Sequence, residues 1–319
     1  MSAAPRATAA AGSAGPAATA AVLLEALPYI RRFAGDVIVV KYGGNALAGS
    51  SGGEDEALAS FARDVALLHA VGMRPVVVHG GGPQISRMSE RLGKTPTFHR
   101  GLRVTDAETM EIVRMVLLGD VNPRLVAAIN HHGDLAVGVS GHDAGMLRVT
   151  RRDPALGFVG DVERVDPTVL RDLIGAGRVP VVATIGTDAA GEAHNVNADT
   201  AAAAIAVALG ARKYVALTDV EGVRRDARDA ASLVRRATVA EMRGLLASGA
   251  IEGGMIPKVE GVVHAVESGV DHGHVLDGRV PHVLLLEFLT DEGIGTKITR
   301  TAEAPSARAS APAGGASAP

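Results

Sequence analysis

Six short runs rich in β-branched residues recur along this chain: Val37–Lys41, Pro75–His79, Leu135–Val139, Val179–Ile185, Tyr214–Asp219 and Val270–Leu276. Continuous apolar runs of this kind suit strands buried on both faces rather than half-exposed ones. Between them, Ala57–Val71, Pro83–Leu92, Ala107–Leu118, Pro167–Gly175, Ala198–Leu209, Val239–Ala247 and Pro257–Val266 carry apolar residues at three- and four-residue spacings. Strands alternating with such segments predict an α/β fold, a mainly parallel sheet covered by crossover helices. Two further extended pieces, Leu147–Arg151 and Phe158–Val165, joined through Asp153-Pro154, read as a surface β-hairpin inserted between sheet elements and placed to lie over a site.

Composition narrows the function classes. A chain of 319 residues that is 47% hydrophobic readily supplies one large core, and no linker-like segment divides it. Residues 1–19 and 301–319 are almost wholly small or polar and are expected as disordered tails. A formal charge of −3 lacks the basic field that nucleic-acid binding needs, and the absence of cysteine removes disulfides, thiolate nucleophiles and Cys-type zinc sites. No apolar stretch reaches the ~20 residues of a membrane span, so a cytoplasmic location with no membrane role is expected.

Four segments carry chemistry. Val37-Ile-Val-Val-Lys41-Tyr-Gly43-Gly44-Asn45 delivers a lysine and then two glycines at the C-terminal end of a strand, the edge where open α/β sheets bind ligands. Glycines there let backbone N–H groups approach a phosphate, and the lysine adds positive charge beside it. Taken alone, the segment also admits a blander reading, a tight turn with a solvated lysine, though the phosphate reading is the stronger. Pro75-Val-Val-Val-His79-Gly80-Gly81-Gly82-Pro83 repeats the arrangement before a helix that begins at proline, a plausible anion cradle. Asn195-Val-Asn197-Ala-Asp199-Thr200 precedes an alanine-rich helix and supplies at least one N-cap, and Gly253-Gly-Met-Ile-Pro-Lys258 puts a lysine at a helix start. Neither the G-x-x-x-x-G-K-[ST] nor the G-x-G-x-x-G phosphate grip is present.

In this order the four segments resemble the amino acid kinase family, over about Ala21–Ile298. Within it, Gly101-Leu-Arg103-Val-Thr-Asp106 and Asn195-Val-Asn-Ala-Asp199 resemble the members that phosphorylate N-acetyl-L-glutamate. The resemblance implies a three-layer α-β-α sandwich over residues 35–300, with the acyl acceptor in the N-terminal half and ATP, with Mg²⁺ on its phosphates, in the C-terminal half. It implies that Lys41 and Lys258 flank the transferred phosphoryl group, that Asp199 orients both lysines, and that Gly43, Gly44, Gly81 and Gly82 donate N–H groups. Arg103 and Asn195 would hold the acceptor; Lys41, Gly43, Thr218, Asp219 and Lys258 would face the nucleotide; no protein metal ligand is implied.

The segment at residues 20–34, amphipathic and interrupted by Pro28, resembles the helix through which arginine-inhibited members interlace into homohexamers. The resemblance then implies an L-arginine site at Tyr29, His274, Glu287 and Gly293. Two departures are a long Gly/Ser-rich segment at 48–56, and His142 where the family more often has lysine. Competing readings are another enzyme of the same family, a non-catalytic arginine sensor, and a metal hydrolase using His79, His131, His132, His142 and His194. No metal-site spacing supports the last of these. The mixed-charge run Arg224–Asp229 is expected to be a solvated loop.

Overall fold

The computed structural model describes residues 15–43, 53–99, 101–290 and 293–302. Gly44, most of the 48–56 segment and most of both expected tails therefore lie outside the described residues. In chain order the first half comprises α1 (Pro16–Phe33), β1 (Val37–Tyr42), α2 (Gly53–Ala70), β2 (Arg74–His79), α3 (Gly82–Arg91), β3 (Phe98–His99), β4 (Leu102–Arg103), α4 (Ala107–Val116), α5 (Asn122–Asn130), β5 (Ala136–Ser140), β6 (Leu147–Arg151), β7 (Val159–Val165) and α6 (Thr168–Gly175). The second half runs β8 (Val179–Ala183), β9 (Ile185–Thr187), β10 (Ala193–Val196), α7 (Ala198–Leu209), β11 (Lys213–Thr218), β12 (Arg236–Thr238), α8 (Val239–Ala247), α9 (Met255–Glu267), β13 (His272–Asp277), α10 (Val283–Leu289) and β14 (Thr296–Thr299).

Eight strands form one sheet in the order β12-β14-β13-β11-β1-β2-β8-β5, parallel throughout except where β14 runs against β13. Side chains alternate across it. Ile38 and Val40 enter a core with α2, α4, α5 and α10, whereas Val39 enters a second core with α7 and α9. The sheet thus has a helical layer on each face, and Lys41 shares the face of Val39 because both are odd-numbered.

Several boundaries depart from the sequence-based expectation. Helix α1 starts at Pro16 inside the expected tail and continues through Pro28 without interruption. The run Val179–Ile185 is split: β8 stays in the main sheet, while β9 joins β6, β7 and β10 in a small closed barrel that absorbs the expected hairpin. The helix expected to stop at Leu118 instead passes through a π turn at Leu117–Val121 into α5, whose first turn holds Pro123; the wider turn shifts the hydrogen-bond register just before the proline.

Candidate active site

The loops leaving β1, β2, β8 and β11 meet at one edge of the sheet around a cleft of about 330 Å³. Lys41, Gly43, Gly81, Gly82, Arg103, Asn195, Asp199, Thr218, Asp219 and Lys258, all expected from the sequence, line it together. At its centre the Lys41 ammonium lies 3.0 Å from one Asp199 oxygen, and the Lys258 ammonium lies 4.0 Å from the other. The 3.0 Å contact is an ion pair without hydrogen-bond geometry, since that Asp199 oxygen is buried and accepts no hydrogen bond.

Local sequence explains this convergence. Asn197 caps α7 by accepting from the N–H groups of Asp199 and Thr200, which fixes Asp199 in the first helical turn. Gly261 lets α9 press against that turn; a Cβ there would sit 3.2 Å from the Asp199 carbonyl oxygen. The approach brings Lys258, in the first turn of α9, to the Asp199 carboxylate. Burial pulls the Lys258 pKa below the ordinary lysine range, Asp199 works against this, and nearby Lys41 adds to it.

The glycines make room. A Cβ on Gly81 would meet Leu117 at 2.7 Å, and one on Gly43 would meet the Lys41 ammonium at 3.0 Å. Arg103 is 8% exposed; it donates to the Gly82 carbonyl at 2.8 Å and to Ser86 Oγ at 2.7 Å, and its guanidinium lies 4.8 Å from the centre of the Phe98 ring. Its second terminal nitrogen is buried without a partner. Asn195 donates to Thr105 Oγ1, which donates in turn to the Arg103 carbonyl, so Asn195 and Arg103 belong to one hydrogen-bonded unit. The sequence reading missed Thr184, Phe98 and Leu117, which also line the cleft. An isolated threonine and two apolar residues carry no local chemical signal.

A second hollow of about 380 Å³ adjoins the cleft through Asp219 and is lined by Val220, Gly222, Ile251 and Met255. Arg224 borders it, paired with Glu221 at 3.2 Å, so this member of the charged run is not simply solvated.

The residues expected at the regulatory site fall on the far side of β11. His274 Nδ1 lies 2.9 Å from Glu287 Oε1, and both side chains are buried. The Ile294 N–H donates to the Glu287 carboxylate, beside which Gly293 leaves space. Tyr29 packs on the core that contains Phe33 and Phe288. Lys213, which the sequence reading missed, has its ammonium 4.2 Å from the centres of both those rings. Burial drives its pKa down to about 8 against the opposing pull of Glu287.

His142 lies outside the cleft lining, held by Ser140 and Asp143. Among the described residues no three of His, Cys, Asp and Glu gather as a metal site requires. No helix among them is long and apolar enough to cross a membrane.

Residues 36–277 match the model of the amino acid kinase family. The chain belongs to that family. Acetylglutamate kinases are among its curated relatives: it is 51% identical over 290 residues to that of Symbiobacterium thermophilum, covering 88% of this chain and 97% of the relative. It is 49% identical over 287 residues to that of Methanothrix thermoacetophila, covering 87% and 97%. Among solved structures, the N-acetylglutamate synthase of Neisseria gonorrhoeae complexed with coenzyme A and L-arginine superposes with a TM-score of 0.75 at 29% identity. That match covers 89% of this chain and 66% of the synthase, just under two thirds of its length. Carbamate kinase from Giardia lamblia bound to AMP-PNP shares the fold, with a TM-score of 0.62 at 15% identity over 84% of this chain and 99% of that one.

Proposed function

We propose that this protein transfers the γ-phosphoryl group of ATP to the γ-carboxylate of N-acetyl-L-glutamate, giving N-acetyl-L-glutamyl 5-phosphate and ADP, the second step of arginine biosynthesis, in the cytoplasm. The observation that carries the reading is the pair of lysines converging on Asp199 beside the Gly80–Gly82 loop. A carboxylate acceptor is already ionised at neutral pH and attacks phosphorus without a general base. One acceptor oxygen bonds to the γ-phosphorus as the bond to the bridging oxygen breaks, and that electron pair leaves on ADP. The protein's task is to bring two anions into line and neutralise the charge between them.

In this reading Lys41 and Lys258 flank the transferring group, and Asp199 holds them apart and aimed. The N–H groups of Gly43, Gly44, Gly81 and Gly82 cradle phosphate oxygens. Thr218 and Asp219 lead into the hollow at Met255, where the nucleoside would lie. Asp199 is occupied by the two lysines, so the residues here fit a Mg²⁺ ion carried on phosphate oxygens and water rather than one caged by the protein. The curated relatives, half identical over nearly their whole lengths, support the acceptor.

Arg103 and Asn195 clamp the α-carboxylate of the acceptor, a task matched to the planar guanidinium fork. Arg103→Lys is expected to raise KM for N-acetyl-L-glutamate by about tenfold, near the cost of one charge-assisted hydrogen bond, with kcat changed far less. Initial rates at saturating ATP measure both.

L-Arginine as feedback inhibitor is the second part of the proposal, bound at Tyr29, Lys213, His274, Glu287 and Gly293. A buried carboxylate packed against a glycine suits a guanidinium, and the related synthase was solved with L-arginine. Helix α1 exposes Val22, Leu23, Leu24 and Leu27, an apolar face suited to pairing with another copy in a homohexamer. Reciprocity requires that arginine and substrates weaken each other's binding. Glu287→Gln is expected to shift half-inhibition to arginine concentrations at least about tenfold higher while leaving kcat without arginine unchanged, since losing one desolvated charge partner costs more than 1.4 kcal/mol.

The test of the whole reading is ADP release from Mg-ATP with N-acetyl-L-glutamate, N-acetyl-L-aspartate or L-glutamate as acceptor, with and without arginine. Turnover confined to N-acetyl-L-glutamate and suppressed by arginine is expected. Turnover untouched by arginine would sink the feedback site, and no turnover with any acceptor would favour a non-catalytic arginine sensor.

A further inference from the structure

The imidazole of His79, at the end of β2, is fully buried and plays no part in the chemistry above. We propose that His79 is a positioning residue for phosphoryl transfer, locking the Gly80–Gly81 peptide so that the Gly81 N–H points into the cleft at the transferring group. The proposal rests on the phosphotransferase reading but not on the identity of the acceptor.

The hydrogen-bond partners allow one arrangement. The Asn122 side-chain nitrogen lies 2.9 Å from the Val181 carbonyl oxygen, which only accepts, so the orientation of this amide is settled by its partner. The same nitrogen lies 2.9 Å from His79 Nε2, which must therefore be the bare, accepting nitrogen. The imidazole proton then resides on Nδ1, which donates to the Gly80 carbonyl oxygen at 3.1 Å. Burial drives the His79 pKa down to about 4, which keeps this neutral tautomer at neutral pH.

Geometry carries the arrangement into the cleft. No peptide bond among the described residues is cis, so the Gly81 N–H points opposite to the Gly80 carbonyl. That carbonyl is turned inward onto a buried imidazole, and the N–H is accordingly turned outward, where Gly80, Gly81 and Gly82 line the cleft. Thr184 steadies the preceding peptide by donating to the His79 carbonyl oxygen at 3.3 Å.

Two further features hold Asn122 in place. It directly follows the π turn at Leu117–Val121, whose wider turn shifts the helical register at this point. Gly138 faces it from β5, where any Cβ would overlap the Asn122 amide oxygen. A histidine that merely filled space would need neither.

Two amide substitutions separate positioning from packing. In His79→Asn the amide nitrogen replaces Nδ1 and still donates to Gly80, but Asn122 loses one of its two acceptors. In His79→Gln the amide reaches the Nε2 position and satisfies Asn122, but nothing donates to Gly80. Since one oriented donor is worth up to 10²–10³ in rate, we expect kcat to fall about tenfold or more in His79→Gln and less than about threefold in His79→Asn. Stability should order the other way, with His79→Asn showing the lower urea midpoint, and KM for the acceptor should move little in either.

Equal kcat in the two variants, or kcat falling in step with the urea midpoint, would overturn the proposal. Affinity for Mg-ADP with aluminium fluoride, a mimic of the transferring group, is expected to follow the kcat order. If the wild-type chain fails to turn over N-acetyl-L-glutamate, the acceptor reading falls, and this affinity order still decides the role of His79.

Discussion

Lys41→Ala is expected to lower kcat by at least about 10²–10³, the usual consequence of deleting one preorganised charge aimed at a transition state. Lys41 is only 5% exposed, and the Cβ-free Gly43 beside it leaves its ammonium room at the cleft. The fold should survive, because the partner left behind, Asp199, keeps Lys258 within 4.0 Å. Single-turnover rates at saturating ATP and acceptor, alongside circular dichroism, check this. A residual kcat within tenfold of wild type in a folded variant would remove Lys41 from the chemistry.

Asp199→Ala is expected to fail differently, losing rate and stability together. Two ammonium groups now held by one carboxylate would face each other, and Lys41 would be a buried cation without a partner. Breaking a buried pair by removing one member typically costs 3–5 kcal/mol; because Lys41 lines the open cleft, we expect about 3 kcal/mol. The rate should fall by about 10² or more, since both lysines lose their aim. Asp199→Asn, which keeps the shape but not the charge, should recover part of the stability and little of the rate. Urea midpoints and kcat on the three proteins decide. Stability unchanged in Asp199→Ala would mean that the lysines do not depend on this carboxylate.

What was legible in the sequence follows from how local each signal is. Lys41, the Gly80–Gly82 loop, Asp199 and Lys258 each sit in a strand-to-loop or loop-to-helix segment whose residue types declare its geometry, and the structure gathers them in one cleft. Helix α5 was not legible because Pro123 looks like a break, whereas a π turn just before it changes the register and makes proline acceptable. Lys213 was hidden for another reason. A lysine opening a strand reads as solvated, and only tertiary packing brings Phe33 and Phe288, from opposite ends of the chain, over its ammonium. The start of α1 was misplaced because a run of alanines carries no amphipathic pattern, though alanine favours helix strongly.

Strand β11 has Lys213 at its first position and Thr218 at its last, and is hydrogen-bonded to β1 on one side and β13 on the other. At the rise of an extended chain those positions are about 17 Å apart. A rod clamped along both flanks neither stretches nor shortens. A push beside Lys213 would therefore reach Thr218, which lines the cleft, only as a movement of the strand together with its two neighbours.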